Sequence, residues 1–166
     1  TILGSPGQVE LHLSTRASNL RKAEDSLDLA VEELVGVLGR DVYTTEGLPL
    51  EHVVGNSLRS RGWRVALAES CTGGLLASRL TDIPGSSTYL DLAVVTYSNL
   101  EKINLLGIPA SLIETHGAVS EFVALAMASG VATRAKADIG VGVTGIAGPT
   151  GGTNSKPVGT VFVAVA

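Results

Sequence analysis

Cysteine is almost missing from this sequence of 166 residues, Cys71 being the single one. That count excludes an intramolecular disulfide framework and any CxxC zinc or redox motif, and it points to a reducing compartment, with the cytoplasm as the default. Aromatic residues are scarce at 4%, which removes the stacking platforms used to bind single-stranded nucleic acid. Positive charge is in deficit, with 12 Lys+Arg against 16 Asp+Glu, a net charge of −4 and no basic run. The electrostatic footprint of a nucleic-acid binder is therefore lacking. No apolar stretch approaches the ~18 residues of a membrane span, and the N-terminus carries no signal-peptide pattern.

Glycine is what the chain has in surplus. Its 20 glycines, most of them after residue 70, exceed the usual share of about 7%, and they fall in turns and strand ends, where a bare backbone can approach a ligand closely. The length suits about one domain with a real core. The ends are abrupt: the chain begins at Thr1 rather than Met and stops at Ala166 inside the apolar run 158–166. A buried strand needs neighbours and cover on both faces, so the expectation is a piece of a longer polypeptide.

Near the start, Val9, Leu11 and Leu13 alternate with Glu10, His12 and Ser14, the period of a half-buried strand. Leu20, Ala23, Leu27, Ala30, Leu34 and Leu38 make a 3.6-period stripe that predicts a helix over 20–38, stopped by Gly39. Asp41, Val42 and Tyr43 read as a short second strand, closing an incomplete strand-helix-strand unit over residues 1–47. The second region, 48–166, opens with a helix over 50–61 ended by Gly62. A strand at 64–68, a helix at 72–80, a turn at 83–87, a strand at 90–97 and a short helix at 100–106 follow. An Ala-rich helix over 120–134, a buried strand at 139–143, a Gly-rich loop over 145–157 and a last strand at 158–165 complete it. Alternating strands and helices predict a three-layer α/β/α domain. The final connection is too short for a helical crossover, so the last pair is expected antiparallel and the sheet mixed, mostly parallel.

The richest stretch in chemistry is Ala68-Glu69-Ser70-Cys71-Thr72-Gly73-Gly74, where a strand gives way to a helix. Ser70 or Thr72 serves there as a plain helix cap. Alternatively Ser70 is a nucleophile, with free N–H groups of the helix N-terminus ready for an oxyanion. Gly73 and Gly74 favour the second reading, because a cap has no need of two glycines in a first turn. A serine nucleophile needs a base. His12, His52 and His116 have no motif linking them to Ser70, whereas Tyr97 and Lys102, where the 90–97 strand meets the next helix, fall at the same sheet edge. Lys102 is either an exposed helix lysine or a base whose pKa burial has drawn down. Cys71 is a rival nucleophile if the helix N-terminus lowers its pKa, or else a buried inert thiol.

The stretch Val143-Thr144-Gly145-Ile146-Ala147-Gly148-Pro149-Thr150-Gly151-Gly152 runs from a strand into a Gly-rich loop. Gly140, Gly142 and Gly145 spell GxGxxG, but they lie inside the strand with no helix after them, so a dinucleotide fingerprint is rejected. Lys156, followed by Pro157, does not make a Walker A loop either. What survives is a nest of backbone N–H groups suited to an anion such as phosphate, or a plain surface loop.

Taken together, AESCTGG at 68–74, TDIPGSS at 81–87, VTYSN at 95–99 with Lys102, HGAVSE at 116–121, and VTGIAGPTGG at 143–152 with KPVGTV at 156–161 resemble the C-terminal domain of the CinA family, the PncC-type nicotinamide-nucleotide amidases. The resemblance covers about 50–166, while residues 1–47 resemble the end of the family's KH-like linker module. With no GxxG loop between basic flanks there, that likeness implies no RNA binding. The resemblance implies hydrolysis of the carboxamide of nicotinamide mononucleotide to nicotinic acid mononucleotide and ammonia, with no metal and no cofactor. Position by position, Ser70 resembles the nucleophile, Lys102 the general base and Tyr97 the hydroxyl that bridges or orients them. Thr144 and Gly145 match substrate-lining positions, and Thr72, Gly73, Gly74 and Gly148 join them as expected substrate contacts.

The family's domain continues past the 158–165 strand with a further strand, a long helix and a substrate-binding arginine. The expectation is therefore an incomplete amidase domain, with little activity in residues 1–166 alone, that associates as a homo-oligomer, a dimer. A competing reading is a non-catalytic nucleotide-binding or regulatory module of a competence- or damage-inducible protein. A role in DNA uptake gains nothing from an acidic, aromatic-poor chain.

Overall fold

The computed structural model describes residues 1–5 and 7–166, which divide into two compact units, Thr1–Val53 and Val54–Ala166. In the first, β1 (Ile2–Ser5) pairs antiparallel with β2 (Gln8–Leu11), in the register Ile2 opposite Leu11. The sequence shows the strand at Val9 and Leu11 but not its partner, because Ile2-Leu3-Gly4-Ser5 carries no alternation. Nor is β2 half-buried: Val9 is 63% exposed, since a lone two-stranded ribbon has no second layer of its own. Helix α1 (Leu20–Leu38) spans the predicted range, with the Asn19 side chain accepting from the Lys22 N–H at its start. The strand expected at Asp41, Val42 and Tyr43 does not form. Gly39, at φ +58°, turns the chain into a short 3-10 helix, Gly39–Asp41, and the Val42 N–H is spent on the Gly39 carbonyl.

The second unit is the three-layer α/β/α domain. Helix α2 (Leu50–Arg61) leads into it, followed by β3 (Val65–Glu69), α3 (Leu75–Thr81), β4 (Leu90–Val95), α4 (Asn99–Leu106), α5 (Ala110–His116), α6 (Glu121–Ala135), β5 (Ile139–Gly145) and β6 (Val161–Val165). The strands lie in the order β4-β3-β5-β6, with β3 parallel to both neighbours and β6 antiparallel to β5. This is the mixed sheet that the short last connection predicts. Helix α5 lies between the predicted 100–106 and 120–134 helices, where the sequence pattern predicts no element.

Alternation along β3 sets the two faces. Val65 and Leu67 pack with Leu58 of α2, Leu80 of α3 and Tyr89, while Ala66 and Ala68 pack with Leu106, Ile108, Ile113, Val123, Met127 and Val131 on the other side. The α6 face is built from very small residues. A Cβ on Gly140 would lie 2.0 Å from the Ala128 carbonyl oxygen, and one on Gly142 would lie 2.2 Å from that of Ala124. These glycines let α6 press its backbone onto the sheet, which accounts for the GxGxxG spelling without a nucleotide.

Connectivity also marks a place for function. From β3 the chain goes through α3 to β4 on one side, and from β4 it returns through α4–α6 on the opposite face to β5, on the other side of β3. The direction of winding thus reverses at β3, and in open α/β sheets ligands bind outside the carboxyl ends of the strands at such a point. The residue after β3 is Ser70.

Candidate active site

Ser70 is held by a tight turn rather than by a helix. Gly73 at φ +63° and Gly74 at φ +100° adopt backbone conformations open chiefly to glycine, and the Gly73 N–H closes the turn on the Ser70 carbonyl at 3.1 Å. Consequently α3 begins at Leu75, not near Thr72 as the sequence suggests. The helix start is capped by Glu69, 1% exposed at the end of an otherwise apolar buried strand. Its carboxylate accepts from the N–H groups of Gly74 at 3.2 Å, Leu76 at 3.1 Å and Ala77 at 2.9 Å. A buried carboxylate so bonded satisfies both its own charge and the orphan donors of the helix.

This capping corrects one expectation, and burial decides between the two readings of Cys71. The α3 N-terminal amides are not free for an oxyanion, since Glu69 occupies them. The amides of Cys71 and Thr72, by contrast, have no oxygen acceptor among the described residues. The Cys71 pKa is not lowered either. Burial pushes the half-buried thiol up, and neither the amides of Cys71 and Thr72 nor the nearby Lys102 cation reverses the direction.

Lys102 comes from α4, whose start is fixed by Ser98 accepting from the Glu101 N–H at 3.1 Å and whose end is Gly107 at φ +69°. Helical rise carries Lys102 under the strand ends, where it is 1% exposed. Its Nζ donates to the Thr96 carbonyl at 2.8 Å, the Tyr97 carbonyl at 3.2 Å and Ser70 Oγ at 3.1 Å. Among the described residues no carboxylate pairs with it, and burial draws its pKa below the ordinary lysine value.

Tyr97 is placed differently from the expectation. It meets Lys102 through its main chain, its side chain is 74% exposed, and its hydroxyl has no partner among the described residues. Thr144, 1% exposed, turns its hydroxyl to the Ala118 carbonyl at 2.9 Å, and a Cβ on Gly145 would lie 3.0 Å from Cys71 Sγ. Gly148, after which the peptide to Pro149 is cis, packs against Val158 inside the Gly-rich loop. Gly73 and Gly74 spend their N–H groups within the turn, and the Thr72 hydroxyl is buried without a partner among the described residues, as is that of Thr96. Of the histidines, His12 hydrogen-bonds Glu10 within the first unit, and His116 lies against Phe122 with the ring centroids 4.1 Å apart. Among the described residues, no group of three or more His, Cys, Asp or Glu is placed to hold a metal ion.

The part missed in the sequence is Glu69. Its signal was present, a single charge closing a strand of Val, Ala and Leu, but it stands beside a more conspicuous serine.

The sequence and the fold recur in known proteins. The family model described as CinA C-terminal domain matches residues 48–166. A CinA-like protein of Koribacter versatilis is 50% identical over 166 residues, which is 100% of this chain and 40% of the relative. One from Chlorobaculum tepidum is 52% identical over 158 residues, 95% of this chain and 37% of the relative. The chain thus spans about two-fifths of the length of the curated relatives it matches. Among solved structures, competence/damage inducible protein CihA from Agrobacterium tumefaciens superposes with a TM-score of 0.68 at 46% identity, covering 70% of each chain. A CinA superfamily protein from Escherichia coli gives 0.66 at 32% identity, covering 78% of this chain and 84% of that one. With the family model spanning the whole α/β/α unit, the chain belongs to the CinA C-terminal domain family.

Proposed function

We propose that the protein hydrolyses a carboxamide, that of nicotinamide mononucleotide, with Ser70 as nucleophile and Lys102 as general base. The observation that carries the reading is the 3.1 Å contact between Lys102 Nζ and Ser70 Oγ in a buried setting where, among the described residues, no carboxylate pairs with the lysine. As an ammonium, Lys102 fills all three of its donors. As a neutral amine it keeps two N–H bonds, to the Thr96 and Tyr97 carbonyls, and the third direction becomes a lone pair aimed at the serine hydroxyl. The two carbonyls therefore act as a jig that orients the base.

The chemistry then runs as acyl transfer. Ser70 Oγ attacks the amide carbon while Lys102 takes its proton, and negative charge gathers on the amide oxygen, for which the Cys71 and Thr72 amides, directed at the Cys71 sulfur rather than at an oxygen, are the candidate donors. Collapse returns the proton from Lys102 to the departing nitrogen, releasing ammonia and leaving a nicotinoyl ester on Ser70. Water, deprotonated by the same amine, cleaves the ester to nicotinic acid mononucleotide.

The test is ammonia release from nicotinamide mononucleotide by the full-length protein and by its Ser70→Ala variant. The wild type should turn over and the variant fall to background. Equal rates would remove Ser70 from the chemistry, and a tight-binding but inactive wild type would make the module a nucleotide sensor.

A further inference from the structure

The connection between β5 and β6 carries a second lysine that the mechanism does not use. Residues 146–160 fold largely upon themselves: Ile146 N–H donates to the Thr160 carbonyl at 2.9 Å, Gly159 N–H to Ile146 at 2.8 Å, and Thr153 N–H to Lys156 at 2.8 Å. The Lys156 N–H returns to Thr153 Oγ1 at 3.0 Å. Gly148 and Gly152 complete the fold by packing on Val158, where a Cβ on either would come within 2.7 Å. Such a loop is closed at its base, but nothing in those bonds fixes where it leans.

The Lys156 side chain reaches out of the loop. Nζ donates to the Val119 carbonyl at 2.7 Å and the His116 carbonyl at 3.2 Å, across 37 and 40 residues of chain. Among the described residues these are the hydrogen bonds that join the loop to anything outside its own connection. The acceptors belong to the end of α5 and the turn before α6, the turn that Thr144 holds through Ala118. Two carbonyls suit an ammonium, because helix ends and turns leave such oxygens unmatched. The loop leaves the sheet beside the Ser70 turn: Glu69 stands opposite Val143 at the end of the β3–β5 register, and a Cβ on Gly145 would lie 3.0 Å from Cys71 Sγ.

We propose that Lys156 is the latch that holds the Gly-rich loop against the α5–α6 turn and thereby sets the mouth of the Ser70 site. Lys156 is a positioning residue. With two donors committed to carbonyls, its work is to place the loop's backbone rather than to neutralise substrate. The proposal rests on the amide-hydrolase reading for its kinetic consequence, but not for its structural one.

Hydrogen exchange on full-length wild type, Lys156→Met and Lys156→Arg reads the latch without turnover. Charge-assisted bonds of this kind predict exchange about tenfold faster or more in Lys156→Met over 146–157 and 117–119, with β3 and α6 unchanged and partial recovery in Lys156→Arg. Unchanged exchange overturns the proposal even if the wild type hydrolyses nothing, whereas an inactive wild type with a released loop in the variant overturns only the amidase reading. With an active wild type, Lys156→Met should raise KM by about tenfold for both nicotinamide mononucleotide and its phosphate-free riboside. The kcat should stay within about threefold, and the acidic limb of the pH profile should not move. A KM effect confined to the phosphorylated substrate would instead make Lys156 a direct phosphate ligand and refute the latch, as would a collapse of kcat with a displaced pH limb.

Discussion

Lys102 Nζ sits 3.1 Å from Ser70 Oγ while its other two donor directions are taken by the carbonyls of Thr96 and Tyr97. The geometry makes proton state the controlling variable, since only the neutral amine accepts from the serine. Activity should therefore rise with pH through a single ionisation that lies below the ordinary lysine value, because burial lowers the Lys102 pKa. Removing the base in Lys102→Met should lower kcat by roughly 10²–10⁴ and abolish that limb. A flat pH profile in the wild type would deny Lys102 the role of base.

The same ionisation leaves a mark on stability. In the unfolded chain Lys102 keeps its proton up to its ordinary value of 10.5, while the folded protein gives it up at lower pH. Between the two values the unfolded state binds more protons, so stability rises with pH across that window; below the folded value both states are protonated and the burial penalty is constant. Relative to Lys102→Met, the wild type should gain stability as pH rises towards 10.5 from below, with a slope of at most about 1.4 kcal/mol per pH unit. Denaturant titrations at several pH values read it, and a slope of opposite sign would mean that the folded lysine holds its proton more tightly than the unfolded one.

Glu69 should prove a structural partner of Ser70. In Glu69→Gln the carboxylate that accepts from Gly74, Leu76 and Ala77 becomes a neutral amide with one acceptor oxygen. Losing a charge-assisted cap while burying an extra NH₂ should cost about 1–3 kcal/mol and lower kcat by loosening the Ser70 turn. Glu69→Asp should fail similarly through reach. A glutamine variant of unchanged melting temperature and kcat would show the cap to be dispensable.

What was legible in the sequence follows physical range. Local periodicity located α1 and α2, and the length of the connection after β5 fixed its antiparallel pairing with β6. Catalytic logic, a serine in need of a base, brought Ser70 and Lys102 together on paper. Burial of Lys102 was not readable, because it depends on how α4 docks under the ends of β3 and β4. Neither was the use of the α3 amides by Glu69, a competition decided by two positive-φ glycines that delay the helix to Leu75. Short apolar segments without a clear period, such as Ile2–Ser5 and Ala110–His116, left no signal distinguishing strand, helix and loop.

Cys71 lies next to Ser70, the proposed nucleophile, yet burial raises its pKa. It should therefore alkylate slowly at neutral pH, and Cys71→Ala should keep most of the ammonia release that Ser70→Ala loses. Rapid alkylation by iodoacetamide at pH 7 in step with loss of activity would point to the thiol instead. The paired variants separate the two nucleophiles without assuming which substrate is used.

Two glycine substitutions of opposite sign test how the surplus of glycine is used. At Gly142 a Cβ would meet the Ala124 carbonyl oxygen at 2.2 Å and the Ala128 nitrogen at 2.7 Å, both of them helix backbone. Gly142→Ala must therefore lift α6 from the sheet, and overpacking of this kind should cost about 1–3 kcal/mol or more. Gly36 lies inside α1 with nothing within 4 Å of a Cβ and no positive φ. There Gly36→Ala removes only the entropy of a flexible helix residue and should stabilise by roughly 0.5–1 kcal/mol. Thermal melts of both variants decide the matter: a Gly142→Ala protein as stable as wild type would mean that α6 does not rest on the sheet backbone, and the close approach that lets glycine line β5 would have to be abandoned.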